Sequence, residues 1–176
     1  MKMKIISGII LVCFVLAGCG KKIDSAANPS LVKQQDTTPA TTATIQPVLT
    51  AWQQGDQSGA ISNFLETDWS SRPLFTPGSA LSLNEKQFGS LPSTDRDAKA
   101  NEMLDQLGVL KHLLAAVTQA GNDAAAKNEV STARKYFTSL KQFGEALDSP
   151  DSLATVKLVG QRVKKNADDE LAKLGQ

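Results

Sequence analysis

The sequence contains little of the chemistry on which many metal sites and nucleophilic active sites depend. It has two cysteines, Cys13 and Cys19, and a single histidine, His112, among 176 residues. No thiol follows Cys19, which excludes a cysteine nucleophile, a cysteine metal site and a disulfide from the rest of the chain. One histidine cannot build a histidine-rich zinc site. The stability of the folded part must therefore come from packing.

Several motifs of common enzyme classes are also missing. His112 could serve a serine-histidine-acid site, but it lies within a helical pattern and no Gly-x-Ser-x-Gly elbow accompanies it. No Gly-x-x-x-x-Gly-Lys phosphate loop occurs. The stretch from Asp95 through Asp97 to Lys99 lacks the third ligand and the turn glycine of a calcium loop. We therefore predict no cofactor, no metal site and no enzymatic activity, and a surface or packing role for His112.

The chain also has no large excess of charge of one sign, since it contains 19 basic and 18 acidic residues. The basic cluster at residues 162–165 is followed by acids at 168–170, a spacing that predicts i,i+4 ion pairs across a solvated helix face. This balance predicts no nucleic-acid partner. Three carboxylate pairs could do acid–base chemistry in a shaped pocket, but their predicted loops and polar helix faces favour solvated charge: Glu66 with Asp68, Asp95 with Asp97, and Asp168 with Asp169.

The start of the chain has the layout of a secretory signal. Met1–Lys4 is basic, an apolar run follows from Ile5, and small residues precede Cys19. The apolar run spans ~14 residues, which is shorter than the ~20 residues that a membrane-spanning helix requires. We therefore predict a signal peptide over residues 1–18.

The residues Leu16-Ala17-Gly18-Cys19 resemble the lipobox of bacterial lipoproteins. The resemblance implies a diacylglyceryl group on the Cys19 sulfur, cleavage before Cys19 and acylation of the new amine. Two or more acyl chains hold a protein on a membrane, at ~0.8 kcal/mol per buried CH₂. Gly20 stands where enteric lipoproteins retained at the inner membrane carry aspartate. The resemblance thus implies a lipid-anchored protein of the bacterial envelope, at the outer membrane if the source has one.

Residues 19–44 are predicted to form a flexible tether that begins at the lipidated cysteine. Threonine, glutamine and proline are frequent and large apolar side chains are sparse, so folding could not offset the ordering entropy. A flexible chain of ~25 residues has a root-mean-square reach of ~25–30 Å. We expect residues 45–175 to form one helical domain that stands off the membrane.

The pattern of this domain predicts an all-α fold, a small antiparallel bundle of five or six helices. No stretch shows the period-two alternation of a strand, and short connections favour antiparallel neighbours. Thr44 is a candidate cap for a first helix with Pro47 in its first turn, and Gly55-Asp56 predicts the turn to a second helix.

Three further elements are predicted along the rest of the domain. A capping-box pattern at Ser82–Glu85 predicts a short helix. A heptad-spaced apolar seam predicts a long helix from Asp95, with a turn at Asn128, a residue that tolerates the left-handed conformation. Ser149 and Pro150 are predicted to begin the last helix as its N-cap and N1 residues.

Four glycines fall inside the predicted long helices: Gly108, Gly121, Gly144 and Gly160. Gly108 and Gly121 each weaken a helix by up to ~1 kcal/mol relative to alanine, so they favour a kink or a close helix approach. Glycines between helices either leave space for a ligand or allow tight packing, and we favour tight packing.

An irregular loop at residues 68–78 carries large side chains. Its two prolines and a glycine exclude a regular element. Loops with tryptophan, arginine and phenylalanine have the composition of binding hot spots, so Trp69, Arg72, Leu74 and Phe75 form a candidate interaction surface. The alternative, which we favour, is that the large apolar side chains fill the core.

Two stretches resemble the helix-turn-helix unit of tetratricopeptide repeats. One runs from Ala51 to Asp56 and continues to Phe64, and the other runs from Ala124 to Glu129 and continues to Phe137. This resemblance implies a protein-binding surface without catalysis. The sequence as a whole predicts a membrane-anchored, non-enzymatic lipoprotein whose helical module binds another envelope protein or has a structural role in the envelope. The alternative is a carrier of a small ligand or lipid in a cavity between helices.

Overall fold

The computed structural model describes residues 44–175, which form six α-helices and one short 3₁₀ helix, Ala80–Ser82, with no strand in this range. The fold is therefore all-α, as the sequence predicts. The signal peptide, Cys19 and the tether up to residue 43 lie outside the described residues. The helices are α1 Gln46–Gln53, α2 Gln57–Glu66, α3 Glu85–Gly89, α4 Ser93–Ala126, α5 Val130–Leu147 and α6 Ala154–Lys173.

The first two helices form a hairpin whose start is set by a tertiary contact. The N-cap of α1 is Ile45, and Thr44 does not cap the helix as predicted. The Ile45 N–H donates to the Leu74 carbonyl over 2.9 Å, which ties the helix start to the loop that follows α2. Gly55 has φ +86, and the Asp56 carboxylate accepts a backbone hydrogen bond of 2.9 Å in the first turn of α2.

The capping box of α3 lies two residues later than predicted. Asn84 is the N-cap, its side chain accepts from the Gln87 N–H at 2.8 Å, and the Gln87 side chain accepts from the Asn84 N–H at 2.9 Å. Ser82 instead ends the 3₁₀ helix. The long helix α4 is 34 residues long and continues without interruption through both of its glycines.

The turn after α4 is predicted correctly, whereas the start of α6 is not. Asn128 adopts the left-handed conformation with φ 60. Ser149 and Pro150 lie before a further turn, and α6 begins only at Ala154. The Ala154 N–H donates to Glu85 Oε1 over 2.6 Å. A carboxylate from α3 thus satisfies the N-terminus of α6, where the helix dipole favours negative charge.

The centre of the core is an aromatic cluster made by Phe64, Trp69 and Phe143, with ring centroids 4.7–5.3 Å apart. The Trp69 indole N–H donates to the Phe64 carbonyl at 3.1 Å and to Ser139 Oγ at 3.3 Å. The Ser139 hydroxyl in turn donates to the same carbonyl at 3.3 Å. These bonds satisfy the hydrogen-bonding capacity of the buried indole, hydroxyl and carbonyl groups. They also fix the loop that contains Trp69 to both α2 and α5.

Helices α4, α5 and α6 run antiparallel in chain order, and α5 packs against both of its neighbours. Three of the four glycines mark close helix approaches, as predicted. A Cβ on Gly144 would lie 2.6 Å from the Lys164 backbone N, and a Cβ on Gly160 would lie 2.6 Å from the Gly144 carbonyl oxygen. A Cβ on Gly121 would meet the Phe137 ring at 2.8 Å, whereas the space around Gly108 is open.

Candidate functional site

The arrangement of the three long helices leaves a groove on one side of α5. Because α5 lies between α4 and α6, these two outer helices barely approach one another. The space between them is an open groove with a volume of about 700 Å³. Its floor is apolar and consists mainly of Leu107, Leu114, Phe137, Leu140, Val159 and Val163. Its rim is polar and includes Lys111, Gln119, Arg162, Asn166 and Glu170.

The floor uses the same apolar stripes that build the core. Leu114, Phe137 and Leu140 are buried, whereas Leu107 and Val163 are half-buried because no further helix covers them. The absence of a side chain at Gly121 makes room for the Phe137 ring. With a rise of about 1.5 Å per residue, the lining residues of each outer helix extend over roughly 17 Å, which is three helical turns.

The uncompensated charge of the groove is positive. Lys111 on α4 and Arg162 on α6 occupy opposite walls, and neither forms a salt bridge within residues 44–175. The acidic residue of the rim, Glu170, is paired with Lys173 at 2.7 Å. The groove therefore offers two cations to a ligand, while its carboxylate already has a partner.

Two exposed leucines adjoin one end of the groove. The exposed fractions are 63% for Leu104 and 65% for Leu158. Leu104 lies one turn before Leu107 on α4, and Leu158 lies one turn before Arg162 on α6. Since α4 and α6 are both antiparallel to α5, the two leucines lie towards the same end. Leu104 lies on the face of α4 that lines the groove, whereas Leu158 lies on the side of α6 that faces away from α5.

The structure places the four residues of the candidate loop surface in two different environments. Trp69, Leu74 and Phe75 are only 1%, 3% and 8% exposed, whereas Arg72 is exposed. A contact surface built from all four side chains is therefore not present in this fold. The packing alternative accounts for the three apolar residues, since their side chains belong to the main core.

Two of the carboxylates that could do acid–base chemistry, Asp68 and Asp168, have partners that stabilise their charged form. Hydrogen bonds from Ser70 and Ser71 lower the pKa of Asp68, and bonds from Lys141 and Lys164 lower the pKa of Asp168. Lys141 and Lys164 lie 2.7 and 2.8 Å from Asp168. A general acid at neutral pH needs the opposite shift.

The other candidate residues are solvated. Glu66, Asp95 and Asp97 are exposed, and so is His112, which follows Lys111 on α4. Asp169 is exposed and paired with Lys165 at 2.7 Å, so the predicted i,i+4 pairing across the last helix is confirmed for two lysines of the cluster. Within the described part of the chain, no group of three or more histidine, cysteine or acidic side chains could hold a metal ion.

The sequence-based predictions include a cavity between helices as the alternative, but they do not place it or name the residues that line it. The floor residues of the groove belong to apolar stripes that predict buried helix faces, and such stripes do not tell which faces meet. The available signal is the width of the stripe on α4, which is apolar on more than one side and indicates more than one neighbour.

Comparisons with protein-family models, with curated proteins and with solved structures give no match to this chain. Among the helices of residues 44–175, none combines the length and the apolar character that crossing a membrane requires.

Proposed function

We propose that this protein is a non-enzymatic lipoprotein of the bacterial envelope whose helical domain binds another envelope protein in the groove between α4 and α6. The observation that carries the proposal is the groove, whose floor continues from buried core residues to the half-buried Leu107, Val159 and Val163. Exposed, contiguous apolar surface with a polar rim is typical of protein-binding sites.

The shape of the groove fits one known mode of recognition. Three antiparallel helices that leave their outer members apart occupy three positions of a four-helix bundle, and a helix of the partner would occupy the fourth. Packed helices lie 8–10 Å apart, and a helix seated in a groove is held by apolar side chains at i, i+3, i+4 and i+7. About three turns of such a helix would match the length of the groove.

The membrane part of the proposal rests on the sequence. The lipobox at residues 16–19 supports a lipid on Cys19, and Gly20 supports the outer membrane rather than the inner membrane if the source has one. The tether of residues 19–44 would give the domain freedom to reach a partner at some distance from the lipid surface. The two stretches that resemble tetratricopeptide units fall on the helix pairs α1–α2 and α4–α5. A protein-binding role is what this resemblance implies.

The anchor is tested by replacing Cys19 with serine. We expect the Cys19→Ser protein to move from the membrane fraction to the soluble fraction, or to remain as an uncleaved precursor, and to lose incorporation of labelled palmitate, because serine offers no thiol for the lipid. Cys13→Ser is the matched control, since Cys13 lies in the predicted signal peptide and its loss should change neither readout. A Cys19→Ser protein that still carries palmitate would contradict the anchor.

The groove is tested in intact cells with a photoreactive residue in place of Gln119 on its rim. We expect a crosslinked partner protein, and we expect Ala115→Trp to lower its yield roughly tenfold, a change that corresponds to ~1.4 kcal/mol, because the indole fills the groove. Ala98→Trp is the matched control, since Ala98 is also exposed on α4 but lies outside the groove. Equal effects of the two substitutions would contradict the proposal.

A second candidate function is a carrier of a small amphiphile or lipid. The volume of about 700 Å³ lies in the range of ligand sites. The groove is open along one side, so an acyl chain in it would stay half in water, whereas an amphipathic helix would turn its polar face outwards. Native mass spectrometry of the protein purified from membranes separates the two, since a lipid bound in addition to the covalent anchor would favour the carrier.

A further inference from the structure

We infer that the segment bound in the groove is an acidic amphipathic helix, whose apolar side chains cover the floor while its carboxylates pair with Lys111 and Arg162. This inference rests on the proposed function and adds the chemistry of the partner. It is carried by two observations, the unpaired cations on opposite walls and the apolar floor, which Leu104 continues beyond the groove on α4.

The local sequence leaves both cations without an acidic neighbour on their own helix. The i±4 neighbours of Lys111 are Leu107 and Ala115, and those of Arg162 are Leu158 and Asn166, so all four are neutral. Further along the same helix, Lys164 and Lys165 have Asp168 and Asp169 at i+4 and pair with them at 2.8 and 2.7 Å. The i+4 ion pairs of α6 thus do not include Arg162, the cation that borders the groove.

The remaining charge of the groove does not compensate these cations. Glu170 lies eight residues after Arg162, about 12 Å along the helix, and it is paired with Lys173 at 2.7 Å. A partner that brings carboxylates to Lys111 and Arg162 would gain charge-assisted hydrogen bonds and favourable steering on approach. A basic partner would meet like charge at both walls.

A ligand that offers only charged groups would leave the apolar floor of the groove uncovered. Leu104 is more than half exposed and continues the lined face of α4 at one end of the groove. The aliphatic stem of Lys111, with its head at the rim, adds further apolar surface. A helix with an apolar stripe and acidic flanks matches these surfaces, because its stripe contacts the floor and Leu104 while its flanks face the two cations.

The test reverses the two charges in the full-length lipoprotein that carries the photoreactive residue at position 119. We expect Lys111→Glu with Arg162→Glu to lower the yield of crosslinked partner at least about tenfold, because two attractive contacts become repulsive. Lys86→Glu with Lys127→Glu is the control, since it changes the net charge equally at exposed positions outside the groove. Mass spectrometry of the adduct is expected to map the contact to an acidic amphipathic segment, and replacing its acids with lysine should restore crosslinking to the reversed variant.

Each other outcome has a defined meaning. If the charge reversal has no effect while Ala115→Trp still removes the adduct, the groove binds a protein, but the inference that the bound segment is an acidic helix is wrong. A stronger adduct after reversal, a contact in a basic segment, an adduct with a second copy of this chain, or an adduct with lipid alone would also overturn the inference. If neither substitution changes the adduct, or if none forms, both the inference and the proposed function fail. Thermal unfolding of the variants, expected to be unchanged at these exposed sites, shows that each is folded.

Discussion

Replacing Trp69 with alanine is expected to lower the free energy of unfolding by about 3–5 kcal/mol, which is the range for removal of a large buried aromatic side chain. Trp69 is 1% exposed and packs against Phe64 and Phe143 at centroid distances of 4.8 and 4.7 Å. Its removal leaves a cavity at the junction of the loop, α2 and α5. Urea unfolding followed by circular dichroism measures the effect.

Two further substitutions divide this effect into its parts. Trp69→Phe keeps much of the ring contact but loses the indole N–H, and because Ser139 still donates to the Phe64 carbonyl, we expect a loss of only about 1–2 kcal/mol. Arg72→Ala in the same loop should stay within ~0.5 kcal/mol of the parent, since its side chain is exposed. A Trp69→Ala protein of unchanged stability that failed to crosslink its partner would instead make the loop a binding surface.

Replacing Gly144 with alanine is expected to lower the free energy of unfolding by about 2–3 kcal/mol, since over-packing a tight contact outweighs the higher helix propensity of alanine. The added Cβ would lie 2.6 Å from the Lys164 N and 2.8 Å from the Gly160 carbonyl oxygen. Both are backbone atoms, so relief requires α5 and α6 to separate. The same reasoning applies to Gly160→Ala, whose Cβ would meet the Gly144 carbonyl oxygen.

The matched control is Gly108→Ala, for which the surroundings predict the opposite sign. No atom lies within 4 Å of a Cβ built on Gly108, so the substitution should stabilise α4 by up to ~1 kcal/mol through helix propensity alone. Because Gly144 and Gly160 face one another at one crossing, the double alanine variant should lose less than the sum of the single losses. Gly144→Ala and Gly108→Ala proteins of equal stability would contradict the close helix approach.

The start of α6 illustrates where sequence reasoning went wrong. Ser149 and Pro150 are residue types that favour a helix start. However, α6 begins at Ala154, whose backbone N–H donates to the carboxylate of Glu85. Residues 69 positions apart in the chain make this cap, and propensity scales describe only neighbours in sequence. The shift of the α1 N-cap to Ile45 has the same cause, because its backbone N–H bonds to Leu74.

The candidate loop and the groove show that the candidate functional surfaces, like the helix starts, depend on contacts between distant residues. Composition cannot distinguish a binding hot spot from a loop whose side chains fill the core, since tryptophan and phenylalanine are frequent in both. In the structure, Trp69 and Phe75 are buried. The location of the groove could not be predicted because it depends on α4 and α6 staying apart. An apolar stripe predicts that a face will be covered, but the covering element can be another helix of the chain or a partner.

By itself, the sequence determined the helical class, the apolar stripe of the longest helix and the left-handed turn at Asn128, and it favoured tight packing at four helix glycines, which holds for all but Gly108. These features depend on local sterics and on the 3.6-residue period, which are properties of neighbouring residues. Only the tertiary structure decided which stripes meet, which caps come from distant carboxylates, and which apolar face remains open beside Lys111 and Arg162. Those outcomes depend on contacts between residues far apart in the chain, which pack according to shape and volume that no local pattern contains.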